Sequence, residues 1–269
     1  MNGDVTVVGG GLAGLVAATR LAEAGAGATL LERRPDLGGR VRTETVGGFR
    51  LDRGFQVLFT SYPAVASERD ADALDLRTFA PGATICRPGS RATLSDPLRD
   101  LRGAIPSLLN REVSVSDKLR TLALRYDLTQ REEGDFFGGP DASIREYLRD
   151  WGFADDYISN FVEPFYGGIT LDRSLATSKE VFEYTFRAMG RGAIGVPAEG
   201  MRAIPEALAA GARDAGVTVE TGEDVEAVRT AGQGRIPFRT GRADAEGATV
   251  ELSDGSPRGA DAVVVAATP

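Results

Sequence analysis

Histidine is absent from this sequence, and cysteine is nearly absent. The chain has no histidine and a single cysteine, Cys86. Without histidine, a Ser-His-Asp triad, a histidine general base and histidine metal ligands are excluded, and we predict no metal site. A lone cysteine cannot form an internal disulfide, which is compatible with a reducing, cytoplasmic location. We interpret Cys86 as a small buried hydrophobic residue of a strand rather than as a nucleophile.

Positive charge and long apolar segments are also scarce. Lysine occurs only at Lys118 and Lys179, and the net charge is −8. Such an acidic chain repels phosphate backbones, so we expect no nucleic acid partner. The uncharged run at 5–19 is too short and glycine-rich to span a bilayer, and a strand-like segment begins at Asp4, where a secretory leader would lie. We expect no integral membrane segment; peripheral membrane contact and the oligomeric state stay open.

Glycine, in contrast, is abundant, with 34 residues, and its first cluster carries a motif. Gly9, Gly11 and Gly14 form a GxGxxG pattern between an apolar strand-like segment and a run with helical spacing. A second strand is predicted at Ala28–Glu32, which completes a β-α-β unit. In such a unit the first glycine permits a tight turn, the second admits a pyrophosphate close to the backbone, and the third lets helix and strand pack closely.

Two further features extend this motif. Glu32 ends the second strand, where a carboxylate lies beside the ribose hydroxyls of a dinucleotide and disfavours the 2′-phosphate of NADP. Gly39 and Arg40 close a GGR sequence that can fold back, so that the arginine neutralises a pyrophosphate. A solvent-facing turn is the alternative for this segment. We expect Leu12 and Ala13, which open the helix, and Arg33 to belong to the same nucleotide site.

The remaining chain changes from helical to mixed α/β. A helix is predicted at Val115–Leu128 with Ser116 at its start, a hairpin at Ala83–Leu94, and a second helix at the capping box Thr177–Glu180. A further helix is predicted at Met201–Ala215. Later strands are predicted at Val217–Thr221, Val225–Arg229, Pro237–Thr240, Ala248–Leu252 and Val263–Ala267.

These patterns predict an α/β fold with a discontinuous Rossmann-like nucleotide-binding domain. Residues 1–65 and 190–269 would form that domain, including the β-α-β unit and a β-meander. Residues 66–189 would form part of an inserted substrate domain, mostly helical with one β-hairpin. The order β/α, then α, then α/β along the chain is the basis for this division.

The segment VVGGGLAGLVAATRLAEAGAGATLLERRPDLGGRVRT resembles the N-terminal signature of the FAD-dependent amine oxidase superfamily. This superfamily includes monoamine and polyamine oxidases, protoporphyrinogen oxidases and phytoene desaturases. LDRGFQ, at Leu51–Gln56, resembles a segment that passes close to the flavin. EPFYGGI, at Glu163–Ile169, is similar to a segment of the desaturase and protoporphyrinogen oxidase branches. VPAEGMRAIPEALA and VTVETGEDVEAV resemble the return to the FAD domain, where the backbone at Val225 would meet the adenine.

The resemblance implies an oxidoreductase in which a small-molecule substrate, an amine or an apolar polyene or porphyrinogen, gives a hydride to flavin N5. Covalent flavin attachment in this group uses cysteine or histidine, so the resemblance implies non-covalent FAD. It adds Gly54, Phe55 and Gln56 to the cofactor-binding set. The group's lysine near N5 lies beyond Pro269, so no catalytic residue is assigned.

Two alternatives remain. Members of the group close the flavin site with a later segment, so the chain is expected to be a partial member and could be a catalytically incomplete FAD- or nucleotide-binding fragment. The same β-α-β unit also occurs in NAD-dependent dehydrogenases. At single positions, Asp52 either touches the flavin region or caps a turn. Tyr166 and Phe165 either line a substrate cavity or pack in the core.

Overall fold

A computed structural model of the chain describes residues 3–54, 57–67, 74–96, 99, 113–230, 235–236 and 247–267. Phe55, Gln56 and the strand predicted at Pro237–Thr240 lie outside the described residues. The chain divides into two compact units. The first comprises the described residues of Met1–Val57, Arg69–Arg77 and Val196–Pro269, and the second those of Leu58–Glu68 and Thr78–Gly195. The predicted division into residues 1–65 with 190–269 and residues 66–189 stays a prediction.

A parallel sheet organises the first unit. Its strands are β1 (Asp4–Val8), β2 (Gly27–Glu32), β10 (Thr218–Thr221) and β15 (Ala262–Val265), in the order β10-β2-β1-β15. Helix α1 (Leu12–Glu23) connects β1 to β2 and packs against α8 (Ala203–Asp214). The buried apolar residues between the sheet and these helices are Val7, Leu15, Ala18, Ala28, Leu30, Ala209, Ala212 and Val217. This arrangement confirms the predicted Rossmann-like α/β fold.

An antiparallel sheet and a hairpin complete the first unit. The sheet has the order β12-β11-β13-β14 and consists of β11 (Val225–Thr230), β12 (Arg235–Ile236), β13 (Ala248–Leu252) and β14 (Pro257–Ala260). The hairpin pairs β3 (Thr43–Val46) with β4 (Phe49–Asp52). Leu31 of the parallel sheet clusters with Val250 and Leu252 of the antiparallel sheet. Burial of these side chains away from water holds the two sheets together.

The remaining elements follow in chain order. They are β5 (Leu58–Phe59), α2 (Pro63–Ser67), β6 (Leu76–Thr78), β7 (Gly82–Arg87), β8 (Ser90–Ser95), α3 (Val115–Gln130), a 3₁₀ turn (Glu133–Phe136), α4 (Ile144–Asp150), α5 (Asp155–Tyr157), a π-helical segment (Ile158–Val162), α6 (Glu163–Thr170), α7 (Lys179–Arg191) and β9 (Ile194–Pro197). The hairpin of β7 and β8 confirms the prediction. Among the described residues, no helix is long and apolar enough to cross a lipid bilayer.

The second unit has its own apolar core. Helices α3, α4 and α7 contribute Leu124, Leu128, Leu148 and Phe182 among its buried side chains. Tyr166 is buried in the same core, which favours packing over a cavity role, whereas Phe165 is more than a third exposed. The burial of Tyr166 raises the pKa of its hydroxyl, which is therefore neutral at physiological pH.

Three local interpretations are corrected. Cys86 lies on β7 but is exposed, because residues alternate along a strand and the preceding Ile85 packs against the core. The cap of α3 is Ser114, whose hydroxyl accepts a hydrogen bond from the Asp117 amide, and not Ser116. The cap of α7 is Ser178, and Thr177 instead donates its amide to Asp172. At the start of both helices, two nearby hydroxyl residues could each be the N-cap. Only the backbone geometry decides which of them caps the helix.

Asp172 organises the turn before α7, and its contribution to stability should depend on pH. Its carboxylate accepts hydrogen bonds from the Ser174 hydroxyl and from the amides of Ser174, Ala176 and Thr177, which hold its pKa below the ordinary value. A lowered folded-state pKa adds stability above the unfolded-state pKa, and this stability is lost as pH falls through the folded value.

We therefore expect Asp172→Ala to lower the melting temperature at pH 7, and to lower it by less at an acid pH below the ordinary pKa of an aspartate. Melting followed by circular dichroism at both pH values measures this. An equal difference at both pH values would contradict the electrostatic explanation and leave only a packing effect.

Candidate cofactor-binding site

The loop between β1 and α1 is shaped by two close approaches of the backbone. Gly9 has φ = +107°, and a Cβ placed on it would lie 2.9 Å from the backbone nitrogen of Ala267. The amide of Gly9 donates to the carbonyl of Leu31 at 2.8 Å, and the amide of Ala266 donates to that of Val8 at 2.8 Å. The ends of the neighbouring strands β2 and β15 therefore fix the loop from both sides and leave no room for a side chain at Gly9.

Gly14 is required by packing inside the first turn of α1. A Cβ placed on it would lie 1.9 Å from the carbonyl oxygen of Gly9. This is the close contact of helix and strand that the third glycine of the motif was predicted to permit. The first and third glycines of the motif are therefore explained by the protein's own structure.

Gly11 differs from both. Its backbone angles, φ = −77° and ψ = 179°, are accessible to any residue. A Cβ placed on it would meet nothing closer than the Cα of Gly39, at 4.0 Å. The protein's own conformation and packing thus do not require glycine at this position. A glycine here keeps open a space directly in front of the N-terminus of α1.

The start of α1 suits an anion in that space. Gly11 is the N-cap of the helix and supplies no side-chain cap, and the first turn has no acidic residue. The amides of the first residues of a helix, here Leu12 and Ala13, have no partner within the helix. These amides and the helix dipole favour a negative group at this end.

The glycine pair folds back against the loop. Gly38 and Gly39 have φ = +111° and φ = +60°, and the amide of Gly38 donates to the carbonyl of Gly10 at 2.8 Å. A Cβ on Gly38 would lie 2.9 Å from Cγ of Pro205, and one on Gly39 would lie 3.2 Å from the Cα of Gly11. Both glycines are needed for this close return. Arg40, which follows, is exposed.

Glu32 is held at the centre of the site. Its side chain is buried, Oε2 accepts the amide of Gly10 at 2.7 Å, and Oε1 accepts the amide of Arg34 at 3.0 Å. Each carboxylate oxygen has a second lone pair, so Glu32 can still accept hydroxyl groups. The carboxylate therefore both fixes the loop and suits a ribose. The neighbouring Arg33 is exposed.

Replacement of Glu32 should affect both roles. In Glu32→Gln only one oxygen remains for two backbone amides, and an unsatisfied buried donor costs about 1–3 kcal/mol. We expect the free energy of unfolding to fall by about that amount and FAD affinity to fall roughly tenfold or more. Urea denaturation and calorimetric titration measure the two effects. Unchanged values for both would contradict this role for the carboxylate.

Sequence reasoning missed two residues of this site. The Cβ of any other residue at Gly10 would lie 2.5 Å from Cδ2 of Leu37, so the run of three consecutive glycines was a usable signal. Arg42 lies just before β3, and its Nε donates to the carbonyl of Gly39 at 2.9 Å. Its Nη2 is buried without a hydrogen-bond partner among the residues that the structure describes. No sequence signal distinguished it from other arginines.

Other predicted positions lie elsewhere in the first unit. Gly54 has φ = +78° and follows β4. Val225 begins β11, pairs with Leu252 and packs beside the cluster containing Leu31. Asp52 accepts hydrogen bonds from the Thr43 hydroxyl and the Met201 amide, which favours its role in fixing the backbone over contact with a flavin. Their proximity to a flavin or adenine stays a prediction.

The residues at the glycine loop fit a dinucleotide. The open face at Gly11 and the start of α1 suit a pyrophosphate, and a buried carboxylate at the end of β2 suits the hydroxyls of a ribose. The unpartnered guanidinium nitrogen of Arg42 adds a donor to the same region. A flavin or nicotinamide dinucleotide would share these features.

Comparison with known proteins favours a flavin dinucleotide over a nicotinamide dinucleotide. The sequence matches the family described as flavin containing amine oxidoreductase over residues 12–269. It is 29% identical to a phytoene dehydrogenase of Streptomyces griseus over 256 residues, which is 85% of this chain and 49% of that protein. It is 43% identical to a carotenoid 3,4-desaturase of Haloarcula japonica over 83 residues, 29% of this chain and 17% of that protein.

The fold of this chain is also similar to that of known proteins. An oxidoreductase from Methanosarcina mazei superimposes with a TM-score of 0.69 at 21% identity, covering 97% of this chain and 58% of that one. This chain thus spans about half the length of the relatives that it matches. Because the family match covers nearly all of its residues, the chain belongs to the flavin containing amine oxidoreductase family.

Proposed function

We propose that this chain binds FAD non-covalently and serves as the cofactor-recognition part of an FAD-dependent oxidoreductase. The observation that carries the proposal is Gly11, which neither the backbone nor the packing of the protein requires and which opens onto the start of α1. Family membership indicates the flavin form of the dinucleotide. The absence of histidine, and the position of Cys86 outside the matched motifs, support a non-covalent attachment.

We propose an apolar polyene as the substrate class, with an amine as the alternative. The two curated relatives described above are named for carotenoid substrates and share 29% and 43% identity with this chain over the matched regions. The family name, in contrast, includes amines. The sequence relatives therefore support the polyene more than the amine.

The chain's own residues would bind and orient the cofactor. The amides of Leu12 and Ala13 would meet the pyrophosphate, Glu32 would accept the ribose hydroxyls, and Gly39 would admit the cofactor close to the backbone. Arg40 would neutralise the pyrophosphate. Arg33 and the backbone of Val225 complete the proposed adenosine side, and Gly54, Phe55 and Gln56 the flavin side. When bound, the flavin supplies a hydride acceptor at N5 for a substrate carbon.

The substrate is tested with the FAD-loaded 269-residue chain under anaerobic conditions. Phytoene in detergent micelles and a diamine are added separately, and the desaturated polyene or the oxidised amine is measured by chromatography. Polyene product alone supports the proposal, and amine product alone transfers the substrate assignment to the amine. Bound FAD without either product supports the alternative of a catalytically incomplete binding fragment.

A further inference from the structure

We infer that Arg42 is a phosphate-binding residue of this cofactor site, in addition to the predicted Arg40. The inference rests on the proposed binding of FAD. Its Nη2 is buried and has no hydrogen-bond partner among the described residues, whereas Arg40 is exposed. An exposed guanidinium exchanges readily with water, but a buried N–H group without a partner is stabilised only when it meets an acceptor.

A hydrogen bond to the glycine pair Gly38–Gly39 fixes the position of Arg42. Its Nε donates to the carbonyl of Gly39 at 2.9 Å. Gly39 in turn lies against Gly11, whose Cβ position is 4.0 Å from the Cα of Gly39. The guanidinium is therefore attached to the same stretch of backbone that faces the start of α1. An arginine held by one nitrogen still presents its other N–H groups in a fixed planar fork.

The chemistry of this fork favours an oxyanion with several acceptors. Arginine stays protonated at all physiological pH values, so the group that it meets must be negative or strongly polar. A pyrophosphate offers adjacent anionic oxygens to such a fork, and the amides at the start of α1 favour the same negative charge. Inorganic phosphate has the same oxygens without the adenosine that Glu32 would recognise, so the two sources can be distinguished experimentally.

The experiment compares Arg42→Gln with wild type and with Arg50→Gln. Arg50 is a matched control because it is an exposed arginine of the adjoining hairpin, paired with Glu199. Calorimetric titration of the cofactor-free 269-residue chain gives the affinity for FAD, ADP, adenosine and inorganic phosphate. Thermal melting without ligand reports the structural contribution of each side chain.

For Arg42→Gln we expect FAD and ADP affinity to fall about tenfold to 100-fold, with adenosine affinity unchanged. The melting temperature without ligand should stay within about 2 °C of wild type or rise, because a buried N–H group without a partner is removed. Arg50→Gln should change none of these values. Binding of phosphate as tight as that of ADP would overturn the assignment to a dinucleotide pyrophosphate.

The remaining outcomes separate this inference from the proposed function. Equal FAD and ADP affinity in wild type and Arg42→Gln would overturn the inference alone. A melting temperature that falls sharply without ligand, with unchanged ADP affinity, would show a purely structural arginine and would also overturn it. Failure of the wild-type chain to bind FAD would overturn the proposed function, and the role of Arg42 with it.

Discussion

Gly11→Ala should lower the affinity for FAD by about 100-fold or more while leaving the melting temperature of the cofactor-free protein unchanged. The added methyl group meets no protein atom closer than 4.0 Å, and the backbone angles at this position suit alanine. It would, however, occupy the space through which a pyrophosphate approaches the first amides of α1. Overpacking of this kind costs about 1–3 kcal/mol, and the loss of hydrogen bonds adds to it.

Two measurements on the same variant test this prediction. Calorimetric titration gives the dissociation constant for FAD, and thermal melting without cofactor gives the stability. Wild-type affinity in Gly11→Ala would show that no ligand uses this space and would contradict the site. A large loss of stability would show that the protein itself requires the glycine, contrary to the open space around its Cβ position.

Gly14→Ala, in contrast to Gly11→Ala, should destabilise the cofactor-free protein, because at this position the protein itself leaves no room for a side chain. A Cβ at 1.9 Å from the carbonyl oxygen of Gly9 forces α1 and the glycine loop apart. We expect the free energy of unfolding to fall by about 3 kcal/mol or more, and FAD binding to be lost with the loop geometry. Urea denaturation of the cofactor-free chain measures the stability.

Gly168→Ala is the matched control for Gly14→Ala. Gly168 also lies within a helix, α6, but a Cβ placed on it meets nothing within 4 Å. Alanine is the better helix former by about 0.5–1 kcal/mol, so this substitution should stabilise the chain slightly. Equal effects of the two substitutions would contradict the steric explanation for Gly14.

Local patterns were sufficient to predict the β-α-β unit. Each of its elements has a clear apolar period, and Gly9, Gly11 and Gly14 lie between the first strand and the helix as the motif requires. The strand Ala248–Leu252 was also recognisable from its alternating residues, whereas an irregularity between Val225 and Ala227 interrupts the alternation of its partner Val225–Thr230. The resemblance of the first forty residues then indicated the family.

The parts that could not be predicted depend on contacts distant in sequence. Asp52, for example, accepts a hydrogen bond from the amide of Met201, 149 residues away. No window of sequence contains both partners of such a contact. Arg42 is not distinguishable from the many exposed arginines of the chain, because burial of one nitrogen depends on how the whole loop folds.

The most direct test of the account is a titration of the purified 269-residue chain with FAD, repeated in the presence of NAD. We predict saturable binding of one FAD per chain, little competition by NAD, and release of intact FAD when the protein is denatured, as the proposed non-covalent attachment requires. Absence of saturable FAD binding, or displacement of FAD by an equal concentration of NAD, would contradict the assignment of the Gly11 and Glu32 site to FAD.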